Sequence, residues 1–183
     1  MKKTITILLS TTLILSLTAC KNFSSMNETS TISDEGKAAI SNHVGLPNPF
    51  IDCATIEDAE KIVGFEISTP HILPDGYTQT SIQAIENGFV QIIYTNGKDN
   101  ITYRQGKGHA DISGDYNEYT EKIIEERNHI QIILEGDMGN VKKATWQDGG
   151  YTFSITVNNE NKGISQEAMN AIIDSVSPDK GTN

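Results

Sequence analysis

Cysteine is nearly missing from this chain: Cys20 and Cys53 are the only two among 183 residues. A fold framed by several disulfides is therefore excluded, and packing has to carry the stability. Histidine is almost as scarce. His43, His71, His109 and His129 are scattered, and none sits in a His-x-His or His-Glu-x-x-His pair. That spacing offers no metal motif, so no metal is expected. No Gly-x-Ser-x-Gly elbow is present to seat a serine nucleophile. Positive charge is short as well: 14 Lys and Arg stand against 24 Asp and Glu, a formal charge of −10, with no basic cluster. Nucleic-acid phosphates and anionic lipid surfaces repel such a chain, which argues against nucleic acid as a partner. Finally, no apolar run reaches membrane-spanning length. The greasiest stretch, Ile5–Ala19, would form a helix of roughly 22 Å against a hydrocarbon core about 30 Å thick.

What is present at the amino terminus explains that short run. Lys2 and Lys3 precede it, and Leu17-Thr18-Ala19-Cys20 ends it. A positive start, a short apolar core and a small residue at the end read as a secretory leader. The final four residues resemble the bacterial lipobox, Leu-x-(Ala/Gly)-Cys. That resemblance implies cleavage between Ala19 and Cys20, a diacylglycerol on the Cys20 sulfur, and a second acyl group such as palmitate. Two chains anchor stably where one binds only marginally. The expected address is the extracytoplasmic face of the cell membrane, held by lipid. Loss of the leader removes two lysines and no acidic residue, which takes the formal charge from −10 to −12. Cys53 is then the only free thiol, read as a small buried hydrophobe.

Residues 21–47 are rich in Ser, Thr, Asn, Lys and Glu, with Phe23 the only aromatic, the composition of a solvated tether. A short helix is expected near Glu35–Asn42. The domain organisation read from this is a leader over 1–19, the lipidated cysteine and linker over 20–47, one domain over 48–178 and a tail over 179–183.

Within the domain, "TIEDAEKIVG" (55–64) predicts a helix. Thr55 caps it, acidic residues fill the first turn, Gly64 suits the end, and Ile56, Ala59, Ile62 and Val63 share a face. "STPHILPDGY" (68–77) reads as a loop. Strands follow: "YTQTSIQAI" and "FVQIIYT" meet at Glu86-Asn87-Gly88, where Asn-Gly predicts a turn with both residues at positive φ. "NGKDN" leads into "ITYRQ", and "EYTEKIIEE" pairs with "HIQIILEG" across Arg127-Asn128. "KKATWQ" then meets "YTFSITV" across Asp148-Gly149-Gly150. Tyr151, Phe153, Ile155 and Val157 alternate with Thr152, Ser154 and Thr156, as a sheet with one wet face requires. "SQEAMNAIIDSVSP" (165–178) predicts a closing helix capped by Ser165 and stopped by Pro178, with Met169, Ile172, Ile173 and Val176 buried. The expected class is α+β: a curved antiparallel meander of six to seven strands with both helices on one face.

Several landmarks fall in a familiar order. An Ala59-Glu60 helix ends in Gly64-Phe65; Pro70, "LPDGY" (73–77), "IIY" (92–94), Tyr103-Arg104 and "DISGDYNEY" (111–119) follow; "ATWQDGGYTFSI" (144–155) and "GIS" close the series. Over about residues 48–178 the chain resembles the bacterial domain-of-unknown-function family 4367. The resemblance implies an envelope-facing module, found in lipoproteins and in membrane-anchored regulators. It brings no catalytic residues with it.

Chemistry is sparse. Asp111, Ser113, Asp115 and Asn117 place oxygens as a calcium loop does. An EF-hand, however, needs Gly sixth and Glu twelfth, and those places hold Tyr116 and Lys122. A run of Asx-type turns is the favoured account. Arg104-Gln105-Gly106-Lys107-Gly108 offers cations and glycines to an anion but lacks a P-loop ending; a bulged strand end is expected instead. Trp146 either lines a cleft or fills the core beside the last helix. Arg104, Lys107, Asp111, Asp115 and Trp146 form the candidate ligand surface. The expected function is a non-catalytic binding or sensing module with an envelope protein or peptide as partner and no cofactor beyond the lipid on Cys20. An envelope-acting hydrolase or inhibitor working through carboxylates or Cys53, and a purely structural lipoprotein, are the alternatives.

Overall fold

The computed structural model describes residues 47–160 and 162–178. The leader, Ala19, Cys20, the tether up to residue 46 with the helix expected near Glu35–Asn42, and the tail beyond Pro178 lie outside these residues. The chain opens with β1 (Ile51–Cys53) and α1 (Ile56–Val63), then β2 (Ser68–Pro70). Three longer strands follow: β3 (Thr78–Ala84), β4 (Phe89–Thr95) and β5 (Asn100–Lys107). Beyond a long connection come β6 (Glu121–Arg127), β7 (Ile130–Asp137), β8 (Asn140–Asp148) and β9 (Tyr151–Asn158). The domain ends with β10 (Ile164–Ser165), α2 (Gln166–Asp174) and β11 (Val176–Pro178).

The class is α+β, as expected, but one meander becomes two. The main sheet has nine antiparallel strands in the order β1-β3-β4-β5-β9-β8-β7-β6, with β10 added beside β8. After β5 the chain leaves the middle of the sheet, crosses to the far edge, and returns strand by strand until β9 pairs β5 from Asn100↔Asn158 to Lys107↔Tyr151. Strands β2 and β11 form a separate ribbon.

Both helices begin as their sequences dictate, and α1 also ends so. The Thr55 hydroxyl accepts the Asp58 N–H at 3.2 Å, and Gly64 closes α1 in the left-handed conformation at φ 72°. Ser165 accepts the Ala168 N–H at 3.1 Å. Ile56, Ala59 and Val63 of α1, with Met169, Ile172 and Ile173 of α2, bury against Ile82, Val90, Ile92, Ile101, Tyr103, Leu134, Ala144 and Ile155. Each Ile, Val, Leu or Met side chain among them contributes about 1.5–3 kcal/mol on removal from water.

Six expectations are corrected. The closing helix stops at Asp174, not at Pro178, and Val176 belongs to β11. The Ser175 hydroxyl accepts the His71 and Ile72 N–H groups and donates to Ile172, which draws the chain out of the helix onto β2. Ser68–Pro70 is accordingly strand and not loop. At the first hairpin only Asn87 takes positive φ, 53°. Gly88 is there for space, since a Cβ would lie 3.0 Å from Ile85 Cγ2. The β6–β7 turn sits one residue later than expected, at Asn128-His129, both at positive φ (49° and 69°). Strand β5 runs through Gly106 in unbroken register with both neighbours, so no bulge ends it. A Cβ on Gly106 would meet Phe89 Cβ at 3.0 Å. Finally, the second face of β9 is not wet. Thr152 and Ser154 are buried, because the connection from β5 to β6 crosses over that face. The Thr152 hydroxyl donates to the Gly108 carbonyl.

Candidate functional site

Concave surfaces lie on both faces of the sheet. On the helix-bearing face a cleft of about 570 Å³ lies between the β2/β11 ribbon and the β6–β7 turn. Its floor follows from the register of β8 and β9, which sets Trp146 directly opposite Phe153. Their rings stack at 5.1 Å and 7°. Tyr151 leans on Phe153 at 6.5 Å and on Phe65 at 5.2 Å. Ile130, Ile132, Ile173 and Val176 supply the apolar walls. Adjacent aromatics of this kind give a cleft a large apolar contact area with fixed geometry.

The polar groups around this cleft are held in place. Gln105, 2% exposed, accepts the Ser68 N–H at 2.7 Å and donates to the Glu66 carbonyl at 3.1 Å, which ties β5 to β2. Arg127 donates to Asp174 at 2.7 Å and to Glu125. Glu125 also accepts from Gln166 at 2.5 Å. Partial burial works against the Glu125 charge, yet Arg127, Gln166 and Asn170 outweigh it and hold the carboxyl below its usual range. The rim therefore presents a fixed, mostly satisfied polar frame around an aromatic floor.

The opposite face is shaped by the 108–120 connection. On one side of it, a cleft of about 640 Å³ is lined by His109, Asp111, Lys122, Glu135, Lys143 and Gln147. The Lys143 ammonium contacts Glu135 at 2.8 Å and lies 5.6 Å from the Tyr119 ring centre. The His109 ring nitrogen Nδ1 shares a hydrogen bond with Gln147 at 2.8 Å. On the other side, Arg104 donates from Nε to Gln91 and from Nη1 to the Ile112 carbonyl, each at 2.8 Å, and its guanidinium stacks on Phe89. Burial lowers the Arg104 pKa from its ordinary value. These cations are spent on holding the connection against the sheet.

The connection itself is a relay of Asx-type turns. Asp111 accepts the Ser113 N–H at 2.8 Å, Ser113 accepts the Asp115 N–H at 3.2 Å, and Asp115 accepts the Asn117 N–H at 3.0 Å. Tyr119 then donates to Asp115 at 2.5 Å. Burial and this bond push the Tyr119 hydroxyl up to about 12. Partial burial opposes the Asp115 charge, but Tyr119 and Asn117 prevail and keep its carboxyl below the ordinary range. The stretch that resembled a calcium loop thus uses its oxygens to shape backbone.

The five residues singled out in the sequence do not share a surface. Arg104, Asp111 and Asp115 gather along the connection. Lys107 ends β5 on the other side, where it donates to the Gly64 carbonyl at 3.1 Å and lies over the Phe65 ring. Trp146 floors the helix-side cleft. Cys53 lies in β1, and its thiol donates to the Ile51 carbonyl at 3.5 Å. Partial burial, then Asp58 and Asp52, raise its thiol pKa, the reverse of what an attacking thiolate requires. Among the described residues no three His, Cys, Asp or Glu side chains converge as a metal site needs, and no helix is long and apolar enough to cross a membrane. Sequence reasoning missed Gln105, Arg127 and Ile130. For Gln105 a signal existed: it is the one polar residue in the inward series Ile101, Tyr103, Gln105. No protein-family model, curated protein or solved structure matches this chain; the resemblance to family 4367 rests on the quoted motifs alone.

Proposed function

We propose that the chain is a lipid-anchored extracytoplasmic lipoprotein whose domain is a non-catalytic binding module, and that its ligand occupies the helix-side cleft. The observation that carries the binding reading is the stacked Trp146–Phe153 floor inside a frame of fixed polar groups. Ligand sites combine an apolar or aromatic lining with a few oriented polar groups, and the helix-side cleft has that combination. The opposite cleft is floored instead by the Lys143–Glu135 pair. The Leu17-Thr18-Ala19-Cys20 motif supports the anchor, and the rim contacts of Arg127, Glu125 and Gln105 support positioning over proton transfer. The ligand is a protein or peptide segment of the envelope with an apolar or ring-bearing side chain to set against Trp146, Phe153 and Tyr151.

Two arms test this. Labelled palmitate enters the full chain in growing cells, and Cys20→Ala abolishes the label and releases the protein from the membrane fraction. In intact cells, a photoreactive side chain at exposed Asn128, on the cleft rim, yields a discrete adduct that Ile130→Arg removes by filling the cleft. A membrane-bound Cys20→Ala protein overturns the anchor; no adduct at Asn128, or one indifferent to Ile130→Arg, overturns the binding site.

A further inference from the structure

Strand β6 ends the main sheet, and among the described residues no strand pairs its outer side. It is seven residues long, Glu121-Lys122-Ile123-Ile124-Glu125-Glu126-Arg127, with Ile123 40% and Ile124 55% exposed. An edge this long is a template for another strand unless it is protected. We infer that β6 pairs antiparallel with β6 of a second copy about a two-fold axis through Ile124, and joins the two main sheets into one.

Backbone geometry comes first. Arg127 and Ile130 flank a two-residue turn and face each other, so they exchange both main-chain hydrogen bonds. Counting back in steps of two, Glu125, Ile123 and Glu121 also bond towards β7. Lys122, Ile124 and Glu126 therefore aim their N–H and C=O groups away from the sheet. A partner strand can bond only where its own outward residues meet these three. Five two-fold registers satisfy that condition, centred on residues 122, 123, 124, 125 or 126.

Charge selects among them, because like charges directly opposite destabilise a pair and opposite charges support it. Centring on Lys122, Glu125 or Glu126 sets that residue against its own copy. Centring on Ile123 sets Glu121 against Glu125. Centring on Ile124 sets Glu121 against Arg127 and Lys122 against Glu126, with Ile124 on Ile124 in the middle. That register alone opposes no like charges, and it is also the one that uses all three outward residues. The strand read backwards complements itself.

The pairing closes on itself, since an isologous contact consumes the edge that forms it. At the far end of each sheet the three-residue β1 covers Ile82–Ala84 of β3, and a register shift between Gln79 and Ser81 interrupts the rest of that strand, a short and broken edge of the kind that resists further pairing. A strand-edge contact is small beside the 1,200–2,000 Å² of standard interfaces, so the dimer forms and dissociates with concentration. This inference rests on the sheet edge and is independent of the anchor and of the cleft.

Cross-linking of the purified full chain in mild detergent tests it. In a Cys53→Ser background, Ile124→Cys places two sulfurs on Cα atoms about 5.5 Å apart, within disulfide range. Parent protein without the new cysteine sets the background from Cys20. Oxidation is expected to give at least ten times more covalent dimer for Ile124→Cys than for Asp75→Cys, an exposed position on another loop. Adding Lys122→Glu lowers that yield at least tenfold, and adding Glu126→Lys as well restores it to within twofold. A yield at Ile124→Cys no greater than at Asp75→Cys overturns the dimer. So does a yield indifferent to Lys122→Glu, or a charge swap that does not restore it.

Discussion

Asp137 receives the main-chain N–H and the hydroxyl of Thr120 on one oxygen, at 2.9 and 2.8 Å, and the Lys142 ammonium on the other at 3.0 Å. The Thr120 N–H, then Lys142, then the Thr120 hydroxyl hold its carboxyl down at about 2, from an ordinary 3.8. A carboxyl depressed in this way supports the fold in its charged form. The support is whole above the unfolded value near 3.8 and is lost as pH falls through about 2. The contact secures the point where the connection from β5 re-enters the sheet at β6. In an acid titration followed by NMR, the Thr120 amide proton is expected to shift with a midpoint near pH 2, well below the ordinary aspartate range. Asp137→Asn removes that inflection, because the amide neither ionises nor draws Lys142. A midpoint near 4 would show that the carboxylate is simply solvated.

Between elements, one glycine decides how β7 turns into β8. At Gly136 a Cβ would lie 1.9 Å from the Asn140 carbonyl oxygen and 3.0 Å from Val141 Cα, and both are backbone atoms that cannot swing aside. The strand register slips at this point, between Glu135 and Gly136, and brings the two chains closer than side chains allow. Gly136→Ala is expected to cost about 3 kcal/mol, the upper end for overpacking. Gly139 in the adjacent turn has φ +74° but open space around it, so Gly139→Ala costs about 1–2 kcal/mol from left-handed strain alone. Urea midpoints of the two variants check the order, and equal midpoints would refute it. The contrast also marks what the sequence made legible. Thr55, Gly64 and Ser165 announce their helices through neighbours three or four residues away, and the long strands announce themselves by alternation. Strands of two or three residues have no period to read: Ser68–Pro70 becomes strand only because Val176–Pro178 lies against it, with Pro70 opposite Val176. Val176 falls at helical spacing from Ile172, and only the Ser175 contacts with His71 and Ile72 take it elsewhere. The cleft was half legible for the same reason. Trp146 and Phe153 stand on strands whose pairing the Asp-Gly-Gly turn foretells, whereas Arg127 and Ile130 reach the cleft through a turn placed one residue away from the expected one.

At the scale of the whole domain, the crossing connection makes two chain halves into one sheet. Residues up to Lys107 build β1, α1 and β3–β5, and residues from Glu121 build β6–β9 and α2. The halves meet along the full length of β5 and β9, again where β2 pairs β11, and through the Gln105 bonds to Ser68 and Glu66 that align the ribbon with the sheet. Their central pairs, such as Tyr103↔Ile155, are buried on the helix side. Covalent continuity through 108–120 is therefore worth little beside the contacts across the seam, because closing a loop of that length costs only a few kcal/mol. Tyr116 is 94% exposed at the crest of the connection, an open site for chymotrypsin. Brief digestion is expected to cut after Tyr116 and leave the two fragments bound. They separate on a denaturing gel, elute together under native conditions, and unfold in a single urea transition at a midpoint below that of the intact chain. The Arg104 bond to Ile112 and the Asp137 bond to Thr120 hold the two stubs down on either side of the cut. Fragments that part without denaturant would mean that the connection, and not the β5–β9 seam, holds the halves together.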